Sequence, residues 1–148
     1  MIKQLEEVDN IQEVIKNIFD VDLNISGGWG YDDKTATIIG DLTIQKEQFY
    51  HMFATMRANI ELNIMLDEDN RYGGINLTLK DKVTINKDDK SYEKITFTIN
   101  AINEKLYAKF IKEYKDGYGK KEFDLEDHFK RRKEATIDKE VEYWFLNK

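Results

Sequence analysis

A chain of 148 residues that is 41% hydrophobic has enough apolar material for one core and suits a single domain over residues 1–148. The absence of cysteine excludes disulfides, thiolate metal sites and a thiol nucleophile, and no apolar run approaches the roughly 18 residues of a membrane span. Net charge is -6 but one-sided: residues 1–75 hold six Lys/Arg against fourteen Asp/Glu, a net of -8, while residues 76–148 hold seventeen against fifteen, a net of +2.

In chain order, Val8, Ile11, Val14, Ile15, Ile18 and Phe19 recur at helical spacing and predict an amphipathic first helix. Residues 20–25 alternate as a half-buried strand should. Ser26-Gly27-Gly28-Trp29-Gly30 interrupts it, and alternation resumes at Ala36, Ile38, Leu42 and Ile44. Phe49, Met52, Phe53 and Met56 return to helical spacing over 46–58. Ile60, Leu62, Ile64 and Leu66 then alternate with Glu61, Asn63 and Met65, which predicts a strand. Ile75, Leu77 and Leu79 predict another, continued by Val83 and Ile85 into a hairpin loop at 87–90. Ile95, Phe97 and Ile99 form its partner.

Ile102, Leu106, Tyr107, Phe110, Ile111 and Tyr114 mark a helix that Asp116-Gly117 ends. A short helix over 125–133 follows, and 140–146 reads as a strand. The order α-β-β-α-β-β-β-α-α-β describes an α+β domain, a mainly antiparallel sheet packed with about four helices. The expected core is Ile60, Leu62, Ile64, Ile75, Leu77, Leu79, Ile95, Phe97, Ile99, Leu106, Phe110 and Ile111.

Gly27-Gly28-Trp29-Gly30 has neither the GxxxxGK[ST] nor the GxGxxG frame of a phosphate loop. It is either a hairpin connection with Trp29 folded onto the core, or a partner-facing loop. In the second case Trp29 and Tyr31 supply rigid contact area and Asp32 and Asp33 supply charge. Asp67-Glu68-Asp69-Asn70 lacks the Gly and Glu that an EF-hand requires at its sixth and twelfth positions, which here are Tyr72 and Thr78. No metal and no cofactor is therefore expected.

His51 and His128 are the only histidines. Two could serve a metal-independent nuclease as base and acid, but nothing in their spacing joins them. Lys105, Lys109, Lys112 and Lys115 with Lys120, Lys121 and residues 130–133 could form a basic patch. The acids interspersed among them favour a solvated face, and no nucleic-acid partner is expected. The start Met-Ile-Lys-Gln-Leu-Glu-Glu has acids where a signal peptide would be apolar, so the expected location is cytoplasmic. Lys outnumbers Arg nineteen to four, which suggests an AT-rich bacterial or mobile-element gene.

Exposed acids steer association with cationic surfaces, and aromatic residues in the same turns anchor contacts. The residues expected to meet a partner are Trp29, Tyr31, Asp32, Asp33, Asp67, Glu68, Asp69 and Tyr72. In its size, acidity, lack of cysteine and α+β pattern, and in the stretch Ile25-Ser26-Gly27-Gly28-Trp29-Gly30-Tyr31-Asp32, the chain resembles immunity proteins of bacterial toxin systems, including contact-dependent inhibition. The resemblance implies a non-enzymatic protein that binds and neutralises a cognate toxin domain, such as a basic nuclease. A secretion chaperone, with a large exposed apolar patch, and a small hydrolase or nuclease, with a deep polar pocket, are the alternatives.

Overall fold

A computed structural model describes residues 2–147. Four helices, α1 (Ile11–Phe19), α2 (Lys46–Asn59), α3 (Glu104–Gly117) and α4 (Leu125–Ala135), accompany five strands. The strands are β1 (Ile25–Gly27), β2 (Thr37–Ile39), β3 (Tyr72–Lys87), β4 (Lys90–Asn103) and β5 (Ile137–Asn147). They form one sheet in the order β1-β2-β5-β4-β3, antiparallel throughout except where β2 runs parallel to β5. The fold is α+β. No helix among the described residues is long and apolar enough to cross a membrane.

Local chemistry sets the boundaries. The side chains of Asn10, Asn103 and Asp124 accept hydrogen bonds from free backbone N–H groups in the first turns of α1, α3 and α4, which would otherwise lack partners. Asp88 and Asp89 both take positive φ, the geometry of the tight turn that matches strand twist in a two-residue hairpin. The predicted hairpin loop at 87–90 therefore forms, and β3 and β4 are its two long arms.

The core lies between α2 and one face of the sheet. Phe49 and Phe53 of α2 meet Phe145 of β5, and Phe97 of β4 meets Tyr143 edge to face. Ile11 and Ile15 of α1 are fully buried in the same cluster. Of the expected core, Ile60, Leu62, Leu77, Ile95, Phe97, Ile99 and Phe110 are buried, while Ile75 and Ile111 are half-buried.

Several expectations are corrected. Residues 60–66 are not a strand, because α2 runs on into a π-helical turn, Ile60–Ile64. The alternating pattern assigned Glu61 to solvent, yet Glu61 is buried and faces Arg57 one helical turn earlier. That i,i+4 pairing is a neighbour relation that a helix provides and a strand does not. Residues 20–24 are not a strand: β1 starts at Ile25 and runs through Ser26-Gly27, the stretch expected to break it. The strand expected over 36–44 shrinks to Thr37–Ile39.

Ile64, Leu79 and Leu106 are exposed. Leu79 lies beside a register shift on the edge strand β3. Leu106 lies on α3, whose buried residue Phe110 packs against His128 of α4. That helical pair builds a small aromatic cluster of its own.

Candidate functional site

Trp29 does not reach a partner. It is 2% exposed, its ring stacks on Phe53, and its indole N–H donates to the Glu6 carbonyl at 3.1 Å. Its backbone N–H donates to the Glu7 carboxylate at 2.9 Å. The reading of Trp29 as a surface anchor is overturned, and the hairpin-connection reading holds. Gly30 makes this possible: its φ is +91°, and a Cβ there would sit 2.9 Å from the Trp144 carbonyl. Only glycine lets the loop lie this close to β5.

The expected acids separate into two groups. Asp32 caps its own turn, accepting from the Thr35 backbone N–H at 2.8 Å and from the Thr35 hydroxyl. Asp33 binds Lys87 at 2.6 Å, and that lysine holds its carboxyl below the usual range. Asp67 and Glu68 are exposed, and Asp69 pairs with Lys105, which lowers its carboxyl likewise. Lys87 ends β3, whereas Lys105 lies in the first turn of α3 just beyond Asn103, the residue paired with Tyr72 at the start of β3. The two acidic turns therefore lie toward opposite ends of a long strand and do not form one patch.

The aromatics converge where the acids do not. Trp29, Tyr31 and Tyr72 each border a cleft that Glu61 also borders. Glu61 accepts a 2.5 Å hydrogen bond from the Tyr31 hydroxyl, which itself accepts from the Leu5 N–H at 2.8 Å. The Arg57 Nε lies 3.5 Å from the same carboxylate, the two side chains being 0% and 1% exposed. The Arg57 guanidinium is sandwiched between the rings of Tyr31 at 4.1 Å and Tyr143 at 3.6 Å. Its terminal nitrogens donate to the Trp29 and Glu142 carbonyls, each at 3.1 Å.

Burial dominates the electrostatics of this centre. It raises the Glu61 carboxyl above the usual range, against the lowering effect of Arg57 and the Tyr31 hydrogen bond. The guanidinium commits its terminal nitrogens to backbone carbonyls, and Glu61 Oε1 has no hydrogen-bond partner among the described residues. Burial and the Glu61 charge also raise the Tyr31 hydroxyl, so the phenol stays neutral and donates. Chemically, the centre holds one shielded carboxylate oxygen without a donor among the described residues.

Neither Arg57 nor Glu61 was nominated from sequence. Their i,i+4 spacing was the available signal, and the strand reading of 60–66 concealed it. The two histidines share no neighbour. His51 contacts the Leu77 carbonyl and Phe97, while His128 is fully enclosed among Phe110, Tyr114, Phe123 and Phe129 with Glu113 on Nδ1. No protein-family model, curated protein or solved structure matches the chain.

Proposed function

We propose that this chain is an immunity protein, which binds a cognate bacterial toxin domain and neutralises it through an acidic surface. The supporting observation is where exposed charge collects. Residues 2–22 and 60–70, parts of which line the cleft over Trp29, carry nine exposed acids against two lysines, with Asp22 paired to Lys16 and Asp69 to Lys105. A field of this sign accelerates encounter with a cationic partner such as a nuclease domain. Tyr72 and Tyr31 remain half-buried beside it, able to offer an edge but not a whole ring.

The experiment is co-expression with the product of the adjacent gene, followed by binding kinetics across salt concentrations. A toxic product whose growth inhibition this chain relieves supports the reading. A toxic product that it neither binds nor counters refutes it. Replacing Asp67, Glu68 and Asp69 with Asn or Gln should slow association roughly tenfold at low salt and flatten its salt dependence.

The exposed apolar side chains Val8, Ile18, Ile64 and Met65 favour a second reading, a secretion chaperone that holds an unfolded effector segment. A stable dimer that binds an unfolded segment, but not a folded toxin domain, would select it.

A further inference from the structure

The N-terminal segment, α1 and the π turn enclose an apolar groove of about 430 Å³ whose floor includes Trp29 and Ile60. Its walls keep apolar side chains in water: Val8 and Ile18 are more than a third exposed, and Met65 is 67% exposed. Apolar groups held together in solvent around a concave surface mark a contact site rather than a solvated face. Glu61 also borders this groove, with Oε1 shielded and unpartnered. A buried acceptor without a donor costs stability, and a donor arriving with a ligand would relieve that cost.

The charge around the groove states the occupant's sign. Lys3, Glu6 and the buried Glu61 line it, and the exposed acids Glu7, Asp9, Glu13, Asp67 and Glu68 stand against Lys16 in the same segments, residues 2–18 and 60–68. An anionic or neutral apolar segment would meet repulsion, or no attraction, at this rim; a cationic one is steered in.

We propose that this groove docks a cationic amphipathic segment of a protein partner, with its apolar side chains on Val8, Ile18 and Met65 and a lysine or arginine directed to Glu61. Taking that partner to be a toxin domain rests on the immunity reading; the chemistry of the groove does not. An amphipathic helix would present apolar residues at i, i+3, i+4 and i+7 to the groove and its basic face to the acidic rim. Arginine suits a carboxylate best, because its planar fork of donors matches the two carboxylate oxygens.

The test uses the full chain and a labelled synthetic peptide of roughly 18 residues, about five helical turns, with leucine at helical spacing and arginine elsewhere. A Glu/Leu peptide of identical pattern is the comparison. Anisotropy should show binding of the Arg/Leu peptide and none of the Glu/Leu peptide. The double variant I18S/M65S should weaken binding at least tenfold, and Glu61→Gln about fivefold. D32N/D33N, at the other acidic turn, should stay within about twofold.

Ile18 and Met65 are solvent-exposed, so I18S/M65S should fold, which far-UV circular dichroism checks. Unchanged binding by I18S/M65S, an equal loss in D32N/D33N, or no binding by the wild type overturns the proposal. So does a concentration-dependent dimer that I18S/M65S abolishes, because the groove then belongs to a second copy. If the adjacent toxin binds I18S/M65S as tightly as wild type, the groove fails and the immunity reading stands. If the toxin ignores the wild type, that reading fails and the peptide result still decides the groove.

Discussion

Replacing Arg57 with Met tests the buried centre most directly. Methionine retains most of the apolar contact area, but the Trp29 and Glu142 carbonyls lose the donors that reach them at 3.1 Å. The orphaned Trp29 carbonyl, which is buried, costs about 1–3 kcal/mol, the part-buried Glu142 carbonyl less, and Glu61 loses its counter-charge. These costs overlap, and breaking one partner of a buried ion pair typically costs ~3–5 kcal/mol in all; we expect R57M to lose about 4 kcal/mol. A domain of this kind has on the order of 5–15 kcal/mol to lose.

Urea denaturation followed by tryptophan fluorescence measures the loss, and the partner substitution gives it meaning. R57M/E61L should be less destabilised than R57M alone, because the uncompensated carboxylate is gone, with a coupling energy above about 1.5 kcal/mol. Burial already raises the Glu61 carboxyl, and loss of Arg57 raises it further. A raised acid contributes stability below its unfolded pKa that disappears as pH rises through the folded one. The R57M deficit should therefore deepen from mildly acidic to alkaline pH. An R57M loss below about 1 kcal/mol, or a double variant that equals the sum of the singles, refutes this account.

Trp29→Ala should cost about 3–5 kcal/mol in the same assay, whereas an exposed contact residue would cost under about 0.5 kcal/mol. Hydrogen bonds from Arg131, and from His128 after it, lower the Glu113 carboxyl from 4.5 to about 2. Its stabilising contribution is complete above the unfolded value and is lost as pH falls between those limits. Urea midpoints of Glu113→Gln should consequently be lower than wild type at neutral pH and less sensitive to acid across that window; parallel profiles would contradict the assignment.

The α3 and α4 helices and the β3–β4 hairpin were legible because their signals are local: a cap, a stripe, a turn. The short helix over 125–133 is legible before any tertiary contact is known, and Asp116-Gly117 marks the end of α3. The π turn was illegible for a tertiary reason. Period-two alternation assumes that intervening polar residues face solvent, and Glu61 breaks that assumption because Arg57 accompanies it into the interior. The same error hid the buried centre, since a strand cannot place Glu61 one helical turn beyond Arg57.

Trp29 was ambiguous because a short glycine-rich loop has no periodicity to say which way a ring points. Its contacts come from Glu6, Glu7 and Phe53, which the loop's own residues do not specify. The acidic turns were legible as turns, but their distance from each other depends on β3 being one uninterrupted strand.

The position of β5 governs the order in which the molecule can assemble. It follows every other element along the chain, yet it occupies the middle of the sheet, with Phe145 paired to Thr37 on one side and Glu93 on the other. The β3–β4 hairpin can close early through neighbours in sequence. The β1–β2 ribbon, only three residues per strand, has nothing to join until β5 arrives. Such distant pairing slows the search for the native state. During synthesis the β1–β2 ribbon and the part of α2 that packs on Phe145 must wait, uncovered, until β5 has left the ribosome. Removing residues from β5 would thus divide the sheet into two unconnected pieces rather than trim its edge.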